Sequence, residues 1–263
     1  MIDFNSKKGF ICDMDGVLYH GNKLLPGAAE FIKWLHDNNK KFLFLTNNSN
    51  STPKELQQKL ARLGLDVSED HFYTSALATA NFLKDQTPGC SVYAIGEAGL
   101  FNALYNAGIT MNDVNPDYVV VGEGKAYSLD TLTKATNLVL NGAKLIGCNS
   151  DVSAPIENGF TPACRALIAP IEMATGRQAY FCGKPNPLMM HTGLRLLGCH
   201  SSEAVMIGDR MDTDIISGLE RGLSTVLVLT GVSTTENIKV YGYKPTMVLQ
   251  GVGEVVKIAN EQR

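Results

Sequence analysis

The chain has 263 residues, of which 44% are hydrophobic and 19% charged, with a formal net charge of −3. That length can bury a substantial core as one large domain or two smaller ones, and the composition excludes a disordered or fibrous chain. The slight negative balance excludes a general attraction to nucleic acid or an anionic membrane, so an anionic substrate has to be drawn in by a local site.

The opening Met1-Ile2-Asp3-Phe4-Asn5-Ser6-Lys7-Lys8 lacks the apolar core of a signal peptide, and no apolar run approaches membrane-spanning length. Six cysteines (Cys12, Cys90, Cys148, Cys164, Cys182 and Cys199) are scattered without a C-x-x-C pair. Reduced thiols account for them, and zinc or redox pairing has no support. These features predict a soluble, cytoplasmic protein with neither membrane nor nucleic-acid polymer as partner.

Phe10-Ile11-Cys12 leads into Asp13-Met14-Asp15-Gly16, an apolar run ending in turn residues that predicts a buried strand. Two carboxylates at i, i+2 share a side if the extended geometry persists that far, and two like charges so placed resist joint ionisation without a cation. The alternative is a pair of aspartates that only cap a turn. Pro26-Gly27 opens a helical segment with Ala28, Phe31, Ile32 and Leu35 on one stripe. Phe42–Leu45 predicts a strand buried on both faces, ending at Thr46 and Asn47. Thr52, Pro53 and Glu55 then form a helix start with a capping box, and Gly64 fits its end. This βαβα order predicts an α/β sheet.

From about residue 80 to 178 a second alternating block follows. It has strands at Ser91–Ile95, Tyr118–Val121 and Lys144–Gly147 and helices at Ala98–Asn106 and Ser128–Leu140. A further helix around Ala163–Ala174 carries Pro170, which is expected to kink or divide it. Periodicity leaves open whether this block extends the first sheet or is an insertion. In the last third, Ala179–Cys182 predicts a strand before Gly183-Lys184-Pro185, and Asn186 caps a helix opened by Pro187. Ala204–Ile207 predicts a strand running into Gly208-Asp209-Arg210-Met211-Asp212-Thr213-Asp214; Thr225–Leu229 and an edge strand at Thr246–Leu249 follow.

Every polar cluster follows an apolar strand. If the strands lie parallel in one sheet, Asp13 and Asp15, Thr46 and Asn47, Lys184, and Asp209 to Asp214 share its carboxyl edge. Carboxylates, one lysine and small neutral donors suit Mg²⁺ and phosphoryl transfer. Thr46 and Asn47 have turn formation as an alternative, Lys184 a solvated surface role, and Asp214 a helix N-cap. Asp212 is expected in a turn or helix cap. The five histidines match no motif and are expected in surface or packing roles.

The D-x-D-G-V of Asp13 to Val17, the strand-terminal Thr46-Asn47, Gly183-Lys184-Pro185 and the G-D-x-x-x-x-D of Gly208 to Asp214 resemble the four motifs of the haloacid-dehalogenase-like (HAD) phosphatases, in order along the whole chain. Pro26-Gly27-Ala28, Asn115-Pro116-Asp117 and Gly208-Asp209-Arg210 bring the chain near the NagD-type nucleotide phosphatases of that family. The resemblance implies a Rossmann-like doubly wound parallel sheet as a discontinuous core, residues 1–79 and 179–263, with an inserted C2-type α/β cap at 80–178. It implies Asp13 as nucleophile forming an aspartyl-phosphate, and Asp15 as the proton donor and acceptor. Mg²⁺ would be held by the Asp13 and Asp209 carboxylates and the Asp15 carbonyl. Lys184, Thr46 and Asn47 would bind phosphate, and Asp214 would orient metal-bound water or Lys184. In the cap, Asn149 and Asp151 match an Asn-x-Asp signature and would contact substrate, with an Asx turn as the alternative.

The implied activity is a Mg²⁺-dependent phosphomonoester hydrolase acting on a small phosphorylated metabolite, with a nucleoside monophosphate taken from the subgroup. Pyridoxal phosphate, glycerol phosphate and sugar phosphates are alternative substrates, and a phosphotransferase on the same core is an alternative reaction. Gly96-Glu97-Ala98-Gly99 and Gly122-Glu123-Gly124 are not G-x-G-x-x-G after a strand, which argues against a nicotinamide enzyme.

Overall fold

The structure is a computed structural model and describes residues 2–156 and 158–262. In chain order it opens with β1 (Gly9–Cys12), a hairpin of β2 (Tyr19–His20) and β3 (Lys23–Leu24), α1 (Ala28–Asp37), β4 (Lys41–Thr46), α2 (Pro53–Arg62), β5 (Phe72–Thr74) and α3 (Ser75–Gln86). Next come β6 (Ser91–Ile95), α4 (Ala98–Asn106), β7 (Thr110–Met111), β8 (Tyr118–Val121), α5 (Leu129–Leu140) and β9 (Lys144–Gly147). A second hairpin, β10 (Ser153–Ile156) and β11 (Gly159–Pro162), precedes α6 (Cys164–Thr175) and β12 (Tyr180–Phe181). The chain ends with α7 (Pro187–Leu197), β13 (Ala204–Gly208), α8 (Ile216–Glu220), β14 (Ser224–Val228), α9 (Thr235–Ile238), β15 (Met247–Leu249) and α10 (Gly253–Glu261).

These elements form two compact units: residues Met1–Thr46, Gln57–Tyr73 and Lys184–Arg263 in the first, Asn47–Leu56 and Thr74–Gly183 in the second. The first holds a six-stranded sheet of order β15-β14-β13-β1-β4-β5. β1 pairs in parallel with both β4 and β13, and β13–β14–β15 continue in parallel. From β1 the chain builds outward through β4 on one side and returns through β13 on the other. The order therefore reverses between β1 and β13, where α/β sheets open a ligand crevice at the carboxyl ends of their strands. Both flanking strands are buried along their whole length, which is why they read as unbroken apolar runs. Phe10 of β1 meets Phe31 and Trp34 of α1 edge-on at 6.3 and 5.5 Å, so the apolar stripe of that helix is the face laid on the sheet.

The second unit carries its own parallel sheet of five strands, β12-β9-β8-β6-β7. The three strands expected at Ser91–Ile95, Tyr118–Val121 and Lys144–Gly147 form with those bounds. Ser128 and Thr131 close a reciprocal capping box at the start of α5, Thr52 and Glu55 do so before α2, and the Asn186 side chain accepts from Leu188 N at 2.9 Å.

Two expectations need correction. Of the kink or division expected at Pro170, the division does not occur: α6 runs through it, with Ile168 and Ile171 fully buried to either side. The strand ahead of Lys184 does not belong to the first sheet: Tyr180–Phe181 pairs with Ile146–Gly147 of β9 in the second. The six cysteines are all free thiols, and no helix among the described residues is long and apolar enough to cross a membrane.

Candidate active site

The first unit gathers Asp13, Lys184, Asp209 and Asp214. Asp13 sits one residue past β1, where its backbone N–H donates to Ile207 O of β13 at 2.9 Å, so the neighbouring strand fixes where its carboxylate starts. Asp209 follows β13 directly. The Lys184 ammonium donates to Asp13 Oδ1 at 2.6 Å and to Asp214 Oδ1 at 2.7 Å. Lys184, Asp209 and Asp214 are buried, and oxygens of Asp13, Asp209 and Asp214 lie within 4.8 Å of one another.

Three carboxylates and one ammonium leave a net negative, water-poor centre. Burial first, and then the Asp214 charge, push the Asp13 carboxyl up to about 7 against the pull of Lys184. Burial and the charges of Asp214 and Asp13 hold the Asp209 carboxyl well above the ordinary range. For Lys184 burial favours the neutral amine, but Asp13 and Asp214 outweigh it and keep the ammonium form. A centre of this kind stabilises a bound cation.

Asp15 lies apart from that triad. β1 stops at Cys12, so the same-side rule for residues two apart does not carry through to Asp15; the chain turns instead, with Val17 and Leu18 N–H on Met14 O. The Asp15 carboxylate is half exposed and faces His20 Nδ1 at 3.5 Å. Partial burial raises its pKa, opposed by the nearby Lys59 and His20. Lys59 lies over the Tyr19 ring at 3.8 Å. His20 was expected to be a surface or packing residue, and no motif points to this pairing. Thr46 ends β4 and is buried; the register Cys12↔Phe44 puts it at the same sheet edge as Asp13.

The remaining predicted residues meet in the second unit. Asn47 Nδ2 donates to Asp151 Oδ2 at 3.1 Å, and Asn149 Nδ2 donates to Asn47 O at 2.6 Å and to Glu123 Oε1 at 3.2 Å. Asp151 N–H closes an Asx turn on Asn149 Oδ1 at 3.1 Å. Glu123 is the member the sequence reading passed over. Its backbone N–H is taken by Ser49 Oγ at 2.8 Å, and burial, then Asp151, push its carboxyl up to about 7. It stands in Gly122-Glu123-Gly124 after β8, and only its strand-end position could have signalled it.

Asp214 does not cap its helix from the N-cap position. It lies in a π-type turn, Met211–Ile215, and its Oδ2 accepts the Arg210 N–H at 3.1 Å. Gly208 makes that possible, since a Cβ there would overlap the Asp214 carboxylate. Asp212 points away to a two-bond pairing with the Arg210 guanidinium, at 3.1 and 2.9 Å. The loop after β14 was unremarked in sequence, yet Val232 N–H donates to Asp209 Oδ2 at 2.7 Å and Thr230 Oγ1 donates to Gly16 O at 2.6 Å.

Known proteins resemble the chain over nearly its whole length. The family model for haloacid dehalogenase-like hydrolases matches residues 10–110, and a second HAD-hydrolase-like model matches residues 181–255. The chain is 47% identical over 246 residues to a dihydroxyacetone phosphatase of Corynebacterium glutamicum, covering 94% of this chain and 90% of that protein. It is 43% identical over 248 residues to the ribonucleotide monophosphatase NagD of Escherichia coli K12, covering 94% and 98%. The solved structure of NagD from that strain matches with a TM-score of 0.89 over 95% of this chain and 98% of that one. The chain thus belongs to the haloacid dehalogenase-like hydrolases, among the NagD-type phosphatases.

Proposed function

We propose that Asp13 is the nucleophile of this phosphoric monoester hydrolase and that Asp15 moves the proton. The observation that carries the reading is the buried Lys184 ammonium shared between Asp13 and Asp214, with Asp209 in the same carboxylate triad. Lys184 holds one Asp13 oxygen and offsets its charge, leaving the carboxylate fixed for attack on phosphorus. As the Asp13–phosphorus bond forms, the bond to the ester oxygen breaks and Asp15 gives that oxygen its proton. Asp15, now ionised, then takes a proton from the water that cleaves the aspartyl-phosphate, which regenerates Asp13 and releases inorganic phosphate. Asp15 lies outside the triad and half exposed, a setting suited to exchange protons with an alcohol or water.

The donor set fits Mg²⁺, a hard cation bound by one or two carboxylates and further oxygens. The Asp13 and Asp209 carboxylates and the Asp15 backbone carbonyl would hold it. Bound there, it offsets the charge that would repel a phosphate dianion from a carboxylate. Asp214 already serves Lys184 and Arg210 N–H and acts by orienting them.

Thr46 and Asn47 donate to phosphate oxygens in this reading. Asn149 is fully buried with its amide engaged by Asn47 O and Glu123, so it and Asp151 contribute to substrate binding by fixing Asn47. In this proposal the first unit is the catalytic core and the second the inserted cap. Residues 47–56, 74–79 and 179–183 then go with the cap, rather than with the core of residues 1–79 and 179–263 expected from the sequence around a cap at 80–178. The proposed substrates are small phosphorylated metabolites, nucleoside monophosphates among them, supported by the NagD likeness. The likeness to a dihydroxyacetone phosphatase supports a triose phosphate as the second reading.

A phosphate-release screen over nucleoside monophosphates, triose and sugar phosphates, glycerol phosphate and pyridoxal phosphate, with and without Mg²⁺, tests this directly. Wild type should release phosphate only with the metal, and Asp13→Asn should be inactive. Full activity of Asp13→Asn would overturn the mechanism.

A further inference from the structure

The segment Thr230–Ser233, which leaves β14, reaches across the end of β13 to the loop after β1. It grips Asp209 twice, through Val232 N–H on Oδ2 at 2.7 Å and Ser233 N–H on the backbone carbonyl at 3.0 Å. Ser233 Oγ also accepts Met211 N–H at 3.2 Å, two residues beyond Asp209. At its other end Thr230 Oγ1 donates to Gly16 O at 2.6 Å, joining residues 214 apart in sequence.

That last bond acts on the Gly16–Val17 peptide, which the Gly16 Cα joins to the peptide of Asp15. Gly16 has φ +77°, a conformation open to glycine at little cost. Its N–H is taken by Tyr19 O at 2.8 Å, a bond made within the loop itself. Its carbonyl is held by Thr230 from across the sheet edge. The two peptide planes that meet at Gly16, Asp15–Gly16 through its N–H and Gly16–Val17 through its carbonyl, are therefore pinned by different parts of the chain. The fit is close: a Cβ on Gly16 would come within 2.6 Å of Asp209 Oδ2, and one on Gly231 would overlap the same carboxylate.

We propose that Thr230 is a positioning residue for Asp15, and that the short segment from Thr230 to Ser233 fixes the proton-transfer loop at one end and Asp209 at the other. This rests on the assignment of Asp15 as the group that protonates the leaving oxygen. A hydroxyl lost at 230 lets the Gly16 peptide and the Asp15 carboxylate behind it drift, while Lys184, Asp13 and Asp209 keep their own contacts. A tilt of a proton donor matters where the departing oxygen needs a proton and matters little where it does not.

The test compares kcat/KM, which covers the steps through departure of the alcohol, for 4-nitrophenyl phosphate and glycerol phosphate. The nitrophenolate leaves unprotonated; the alkoxide does not. Thr230→Val, matched in shape and lacking the hydroxyl, should retain most activity on the nitrophenyl ester and lose on the order of tenfold or more on the alkyl ester. Thr230→Ser should restore the ratio. Ser233→Ala should instead raise the Mg²⁺ concentration for half-maximal rate and leave the ester ratio unchanged. Equal losses on both esters in Thr230→Val, or no loss on either, would overturn the proposal. If Thr230→Val does not fold, Thr230→Ala makes the same comparison. Wild type inactive on both esters would instead refute the phosphatase mechanism itself, and the two failures are therefore distinguishable.

Discussion

Lys184 and Asp214 meet at 2.7 Å with neither side chain reaching solvent, 1% and 0% exposed respectively. The same ammonium binds Asp13 at 2.6 Å. A buried ion pair of this geometry is weak evidence for stability in itself, because desolvating both ions offsets much of their attraction. Its value lies in holding two carboxylates at fixed places beside a third.

Replacing Lys184 by Met should therefore do more harm than deleting a surface lysine. It leaves Asp13, Asp209 and Asp214 without a cation, at a cost of about 3–5 kcal/mol when one partner of a buried pair is removed. Proton uptake by the stranded carboxyls reduces that cost. Phosphate release should fall by on the order of 100-fold, and the midpoint of thermal unfolding should drop. Unchanged turnover in Lys184→Met would show that the lysine is structural only.

Removing the metal has a pH-dependent consequence whose sign follows from the triad. Asp13 is raised from 3.8 to about 7 and Asp209 well above 3.8, burial being the leading cause for both. The folded state thus keeps protons that the unfolded chain has released. This stability is fully present below the ordinary carboxylate pKa and is lost as pH rises toward about 7. A cation binding the ionised carboxylates reverses that loss. Mg²⁺ should raise the unfolding midpoint more at about pH 8 than at about pH 5.5. A shift independent of pH would sever the link between triad and metal.

Gly208→Ala probes the same centre by steric means. The added methyl would occupy the place of the Asp214 carboxylate, so either the π-type turn shifts or Asp214 leaves Lys184. Overpacking of this kind costs about 1–3 kcal/mol, and activity should fall well beyond what that destabilisation explains. Calorimetry beside kinetics at a temperature where the variant stays folded separates the two. Wild-type kinetics would mean that the Lys184–Asp214 contact is dispensable.

Much of this site was legible because buried parallel strands leave a strong signal: apolar runs that stop at Asp13, Thr46 and Asp209. Lys184 was legible from its Gly and Pro neighbours, but its setting was not. A two-residue strand such as Tyr180–Phe181 carries no mark of which sheet it joins. α3 was missed because its buried residues are the small Ser75, Ala76, Ala78, Thr79 and Ala80 with Leu83 as the single large one, too little for a leucine stripe. The hairpin of β10 and β11 was missed because β11 is exposed throughout and both strands carry proline. His20 and Thr230 meet Asp15 and Gly16 through contacts that sequence spacing does not encode. Glu123 was hidden by its neighbours, two glycines that drew notice for a motif they do not complete.

Glu123 supplies the last test, confined to the second unit. Its carboxyl is raised from 4.5 to about 7 by burial and by Asp151, while Asn149 and Ser49 favour the ionised form. Folding therefore favours the protonated acid. Between about pH 4.5 and 7 the unfolded chain has lost a proton the native state retains, and stability falls with rising pH by up to about 1.4 kcal/mol per pH unit. Glu123→Gln keeps the shape and an acceptor for Asn149 but has no proton to lose. Its denaturant midpoint should decline less than that of wild type across this window, and the variant should become the more stable of the two toward pH 8. An identical slope for both proteins would mean that Glu123 ionises normally in the folded unit and that solvent or a neighbouring donor meets its charge.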